Sequence, residues 1–271
     1  MRVDNKHERY DVAFSLGAAC ACSSALRCAK LQFGSFPLDW IAGSTVVQRA
    51  ALVASRFDGW LDKDDFAYDG KNQINGLGIF KNRRTGFTHL HDFSDGPIDD
   101  SYAKVVKKYK RRESRLFSLC DCARRILCVY ISRPSGRDVP DEELHEARLT
   151  MSRAFPSAYV ALVHFRCEHG RRPSDRLVHR PEDGICQIVF DYDDPERDVN
   201  IKEVAAVLVE DGYTVTDYRT AAEKRAYKLG LKMKKYGVHS YAELVWARVK
   251  AQIGRCFGIK PKTYGSDYMK M

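Results

Sequence analysis

Three short apolar runs constrain this chain more than any other feature: ILCVYIS at 126–132, AYVALVHF at 158–165 and ICQIVFDY at 185–192. They show almost no polar alternation, which is the pattern of strands buried on both faces. Segments of helical period stand around them. YDVAFSL at 10–16 reads as a strand ended by Gly17, and 18–31 as a helix rich in Ala and Leu. A second helix is expected at 45–57, with Val46, Val47, Ala50 and Ala54 on one face. A third is expected at 101–125, where Tyr102, Val105, Val106, Tyr109, Leu116, Phe117, Cys120 and Ala123 make an apolar stripe among Lys and Arg. Further helices are expected at 140–155 and 201–211, and an edge strand at 213–217. Strands alternating with helices predict an α/β fold, a mainly parallel sheet with helices on both faces. Ligands of such folds sit beyond the carboxyl ends of strands, where strand order switches, and 17–20 is expected in such a place.

The segment 62–84 is polar and Gly-rich, with Asn75-Gly76 as a turn signal, and reads as a long loop or irregular hairpin. SFPLDW at 35–40 reads as a rigid aromatic loop. The tail differs from the body. The chain carries 45 Lys and Arg against 36 Asp and Glu, and the whole excess of +9 falls in 217–271. The expected organisation is therefore an α/β domain over 1–216 and a basic helical appendage over 217–271, with helices at 220–236 and 240–257. A basic appendage on a neutral body suits an anionic membrane surface or another polyanion. Nucleic acid is disfavoured, because no phosphate-binding Gly loop, RNA-binding aromatic signature or zinc-finger spacing is present. No stretch approaches the ~18–20 apolar residues of a membrane span, and the first ten residues lack the apolar core of a signal peptide. The expectation is a cytoplasmic protein. The 9 cysteines, an odd number, fit free thiols in a reducing compartment. Neither a metal nor a cofactor is expected.

The sharpest local feature is Ser15-Leu16-Gly17-Ala18-Ala19-Cys20. A cysteine just after a strand and a Gly turn stands at the start of the next helix, where free N–H groups and the helix dipole favour a thiolate. The backbone of Gly17, Ala18 and Ala19 could hold an oxyanion there. A nucleophilic thiol needs a base. His89 and His91 lie together beside Asp92, and alternation places both histidines on one side of an extended segment. Binding of a metal by His89, His91 and Asp92 is conceivable, but no further ligand set accompanies them. Arg111, Arg112 and Arg115 share a helix face with Lys108 and could bind a carboxylate or phosphate.

At these residues the chain resembles a known family. Tyr10-Asp11-Val12, Ser15-Leu16-Gly17 to Cys20, Ser35-Phe36-Pro37-Leu38-Asp39-Trp40, His91-Asp92-Phe93 and Lys108-Tyr109-Lys110-Arg111-Arg112 to Arg115 look like the ordered SLGxxC, SxPFDW, HDF and KYxRRxxR motifs of bacterial papain-like cysteine peptidases, a family built on a domain of unknown function. The resemblance runs from about Tyr10 to Val129. It implies a Cys20 nucleophile and a His91 base, with Asp39 to orient the histidine and His89 or Asp92 as alternatives. Two departures stand out. Ala19 replaces a polar residue before the cysteine, and His89 duplicates the histidine.

The implied activity is hydrolysis of an amide or ester in a small-molecule, peptide or glycan substrate. The same parts suit an acyltransferase of surface-polysaccharide biosynthesis, with the Arg face holding a phosphate-bearing donor. A third reading is a non-enzymatic binding protein that docks through its basic tail.

Overall fold

The computed structural model describes residues 9–17, 20–196 and 198–236. The chain divides into two compact units, 1–217 and 218–271.

Unit one begins with β1 (Arg9–Tyr10) and β2 (Val12–Ser15), then α1 (Cys20–Cys28), a 3₁₀ turn at Pro37–Trp40, β3 (Ile41–Ala42) and α2 (Val46–Ala54). There follow β4 (Phe66–Lys71), β5 (Gly78–Asn82), β6 (Thr88–Phe93) and the long α3 (Asp99–Cys120). The second half holds β7 (Arg125–Ile131), α4 (Asp141–Ala154), β8 (Tyr159–Cys167), β9 (Leu177–His179), β10 (Ile185–Phe190), α5 (Ile201–Glu210) and β11 (Thr214–Val215). In the second unit α6 (Ala221–Tyr236) is described, and the helix expected at 240–257 lies outside the described residues. No helix among the described residues is long and apolar enough to cross a membrane.

The three apolar runs form β7, β8 and β10. The main sheet runs β2-β7-β8-β10-β9, parallel except for β9 at its edge. Alternate residues of each strand supply two cores. Ala13, Leu127, Val129, Val163 and Ile188 pack with Leu26 of α1 and Leu208 of α5. Ile126, Cys128 and Leu162 point the other way, toward the side where α4 lies against β8 and α2 against α4. The fold is therefore α/β with a mainly parallel sheet and helices on both faces. Beside it, β1 pairs in parallel with β11.

Segment 62–84 is more ordered than its composition suggests. β4 and β5 form an antiparallel hairpin through Asn75-Gly76, and with β6 and β3 they build a second sheet, β3-β6-β5-β4. Its strands bury one face against α3 and expose polar residues on the other, so no apolar run marks them. Helix boundaries follow local chemistry. Thr45 and Gln48 cap α2 reciprocally, Asn200 caps α5, and Asp141, Glu142 and Glu143 open α4 where its dipole favours anions. Arg49 is fully buried on α2 and donates to the carbonyls of Ile41 and Gly43, which ties β3 to α2.

Core packing sets the mutational response. Leu127 is fully buried, whereas Ile74 is 97% exposed at the hairpin tip. Urea denaturation should show Leu127→Ala destabilised by about 2–5 kcal/mol, and Ile74→Ala within about 0.5 kcal/mol of the parent.

Candidate functional site

The exits of β2 and β7 are neighbours, but the chain leaves them in opposite directions. After β2 it enters α1 on one face, and after β7 it passes to α4 on the other. Such a divergence at the carboxyl ends of neighbouring strands is the place where α/β folds bind ligands. Cys20 stands there as the first residue of α1, half-buried.

The residue after β2 and Leu16 is sterically fixed as glycine. A Cβ on Gly17 would lie 2.3 Å from Cys22 Cβ and 2.9 Å from its Sγ, so only glycine fits. Cys22 is buried, its thiol donates to the Val129 carbonyl at 3.2 Å, and burial pushes its pKa up to about 12. It is a packing residue. The Gly17 N–H donates to Ser15 Oγ at 3.0 Å and so is committed, which corrects its expected role as an oxyanion donor. Ala18 and Ala19 lie outside the described residues.

The electrostatics of Cys20 also differ from expectation. Burial pushes its thiol above the ordinary value, while its own backbone N–H, Arg133 and Arg27 pull it back and Asp198 opposes them. The helix start does favour the thiolate, but desolvation outweighs it. Arg133 faces Asp198 at 3.4 Å. It also lines a cavity of about 170 Å³ with Ser44, Thr45, Tyr130, Ser132 and Arg137. A larger cavity, about 350 Å³, lies at the opposite ends of the strands near Tyr159, Gly184 and Tyr213, away from Cys20.

Asp39 is fully buried. Its Oδ2 accepts from Arg27 at 2.5 Å, Gln32 at 2.7 Å and the Phe36 N–H at 3.0 Å. Burial pushes its pKa up to about 6, against the pull of Arg27. Asp39 thus closes the 3₁₀ turn and pins α1. Among the described residues it makes no hydrogen bond to a histidine, which corrects its expected role as the orienting group.

The two histidines separate. The β5–β6 ladder slips between Gly78↔Phe93 and Phe80↔His89, so β6 carries extra residues there. This bulge breaks the alternation that would have put both rings on one side. His89 turns inward and is fully buried, ringed by Trp60, Phe66, Phe93 and Tyr109 at 5.2–5.8 Å between centroids. Its Nδ1 meets Asp92 Oδ2 at 2.9 Å. Asp92 also accepts from the Tyr109 hydroxyl at 2.5 Å and from Lys108. Burial alone would raise the Asp92 pKa, but His89 and Lys108 together hold it well below the carboxylate range. His91 turns outward, edge-on to Trp40 at 5.8 Å. Its Nδ1 accepts from Asn75 Nδ2 at 2.9 Å. The Asn75 amide is itself fixed, with Oδ1 accepting from Leu77 N and Nδ2 donating to the Leu90 carbonyl. A neutral His91 therefore carries its proton on Nε2. His89, His91 and Asp92 do not converge on a common metal position.

Among the described residues, no hydrogen bond joins Cys20 to a histidine. The contacts run from His91 to Trp40, from Trp40 to the Arg27 guanidinium at 5.3 Å, and from Arg27 to Asp39. The arginines of α3 do not make a shared anion face. Arg115 donates to the Ser35 carbonyl at 2.9 Å. Arg112 stacks over Tyr109 at 5.1 Å, with a buried Nη1, and only Arg111 is exposed. Most of the motif residues thus hold the second sheet, α1 and α3 together. Sequence reasoning missed Arg27, Arg133 and Asn75; of these, Asn75 had been marked only as a turn residue.

Compared with protein-family models, curated proteins and solved structures, the chain matches none.

Asp39 gives the site a pH signature. Its pKa is raised in the folded state, so it favours folding below about pH 4 and loses that contribution as pH rises through about 6. A shift of about two units corresponds to about 3 kcal/mol. Urea titrations should show Asp39→Asn gaining about 3 kcal/mol relative to the parent between pH 4 and pH 7.

Proposed function

We propose that this chain is a cysteine-dependent hydrolase of amides or esters, with Cys20 as the nucleophile. The observation that carries the reading is the placement of Cys20: first residue of a helix that follows β2, the parallel neighbour of β7, with Arg133 and Arg27 both favouring its thiolate. The ordered motifs shared with papain-like cysteine peptidases support the same assignment. Sγ bonds to the carbonyl carbon as the thiol proton leaves. The carbon–nitrogen or carbon–oxygen bond then breaks as the departing atom gains a proton, and water releases the acyl group from the thioester. His91 is the proton carrier in this reading: once the ring leaves Asn75, Nδ1 takes the thiol proton and Nε2 gives a proton to the leaving group. Asp39 and Asp92 act at a distance, by fixing Arg27 and the β6 bulge. The Arg133-lined cavity favours a substrate with an anionic group beside the scissile bond.

That cavity also favours a second reading, acyl transfer from a phosphate-bearing donor to a sugar hydroxyl in surface-polysaccharide biosynthesis. Here an acceptor replaces water at the thioester. The basic segment 217–271 is assigned to docking on an anionic surface in either case.

The test is a panel of esters, amides and acyl thioesters followed by intact-mass and peptide analysis. An acyl adduct on Cys20, absent in Cys20→Ala, is expected, and acylation in His91→Ala should slow by about 10²–10⁴-fold. Release of free acid marks hydrolysis, and an acylated sugar marks transfer. Turnover by Cys20→Ala equal to that of the parent overturns the assignment. Iodoacetamide labelling of the resting thiol should reach its half-maximal rate at a higher pH than labelling of a free cysteine, and Arg133→Ala should move it higher still.

A further inference from the structure

A separate group of side chains lies at the carboxyl ends of β8 and β10, which are parallel neighbours with Cys167 opposite Phe190. Cys167 ends β8 and His169 follows two residues later. Asp191 follows the last residue of β10, and Asp193 stands two residues on. Cys167 Sγ lies 3.6 Å from Asp191 Oδ1, and His169 Nδ1 lies 3.8 Å from Asp191 Oδ1 and 3.9 Å from Asp193 Oδ2. The ligand atoms of Cys167, His169 and Asp191 all fall within 4.8 Å of one another.

We infer that Cys167, His169 and Asp191 form a binding site for a divalent cation of the zinc class, with a solvent molecule completing the set of four. The separations from the histidine are too long for hydrogen bonds. The Cys167–Asp191 and His169–Asp191 separations, 3.6 and 3.8 Å, match the spacing of donors that share one ion: with bonds of ~2.0–2.3 Å, tetrahedral ligand atoms lie roughly 3.3–3.8 Å apart. One thiol, one imidazole and one carboxylate suit zinc or cobalt and disfavour magnesium and calcium, which take oxygen ligands.

The site is organised beyond its donors. Asp191 Oδ2 accepts from the Gly170 N–H at 2.7 Å and Oδ1 from the Asp193 N–H at 3.1 Å, so the carboxylate is held in place. Gly170 reaches it with φ of +80°, a conformation that favours glycine. The two strand exits are further braced by Glu168 N to the Phe190 carbonyl and by Asp191 N to the Arg171 carbonyl. The His169 side chain is 69% exposed, which leaves an entry path for the ion.

An ordinary thiol is mostly protonated near neutral pH, so the ion displaces a proton: the S–H bond breaks, the S–metal bond forms and one proton passes to solvent. The bound ion would staple the segment between β8 and β10, including the edge strand β9.

The experiment uses the full chain, in a Cys20→Ala background so that its outcome is independent of the proposed hydrolase. Chelator-stripped protein is titrated with Co²⁺ under a thiol-free reductant. The expected spectrum has a thiolate-to-cobalt charge-transfer band and the intense visible bands of a four-coordinate ion, saturating at one equivalent and bleached by Zn²⁺. Cys167→Ser should abolish the charge-transfer band. His169→Ala removes a mostly exposed ring that the fold does not need, and it should weaken Co²⁺ binding at least tenfold. The inference is overturned by the weak spectrum of six-coordinate cobalt, by a charge-transfer band that survives Cys167→Ser, or by unchanged affinity in His169→Ala. If Cys167→Ser does not fold, the His169→Ala titration decides alone.

Discussion

The carboxylate of Asp39 sits where no water reaches it, and three donors from separate places close around it: Arg27 from α1, Gln32 from the following loop and the Phe36 N–H from the 3₁₀ turn. The rest of the candidate site depends on this clasp. The Arg27 guanidinium held against Asp39 also lies over Trp40, and Trp40 meets His91. The helix that carries Arg27 begins with Cys20. One buried charge pair therefore fixes the direction of α1, the seat of the tryptophan and the rim on which His91 stands. The cost appears in the raised pKa of Asp39: the pairing does not fully offset the loss of hydration.

A second buried carboxylate, Asp92, performs the matching task in the smaller sheet. It gathers His89, Lys108 and Tyr109, so that β6 is fastened to α3. The two nodes differ in balance. Around Asp92 the donors outweigh burial, and around Asp39 burial outweighs the donors. Lys108, which read from sequence as part of a basic helix face with Arg111, Arg112 and Arg115, and Tyr109, which read as part of the apolar stripe, are the α3 half of this join.

Much of the main sheet was legible. A strand covered on both faces needs an unbroken apolar run, and β7, β8 and β10 each had one. The second sheet was not, because its strands are half-exposed and its stability comes from pairing between segments whose sequences look like loops. The local backbone of the candidate site was legible at Cys20, where an apolar run ended by Gly17 and an Ala-rich segment mark a strand followed by a helix. It was not legible at the histidines. Alternation assigned His89 and His91 to one side, and only the mismatch between β5 and β6 reveals the bulge that turns one inward and the other out. Asn75 could not be paired with His91 before that hairpin was known. Asp39 could not be assigned to Arg27, because a motif records which residues occur together and not which of them touch.

The place of the first strand has a consequence for how the molecule is made. Of the described strands β1 and β2 come first in the chain, yet β1 pairs with β11, with Arg9 opposite Thr214, while β2 pairs with β7. Helix α1, with Cys20 at its head, is covered by α5, whose residues run to Glu210. On a ribosome the N-terminal segment must wait, with its apolar residues uncovered, until nearly all of the first unit has emerged. Contacts so distant in sequence make for slow closure and a period of exposure to aggregation. The thiol thus leaves the ribosome well before the residues of α5 that cover its helix.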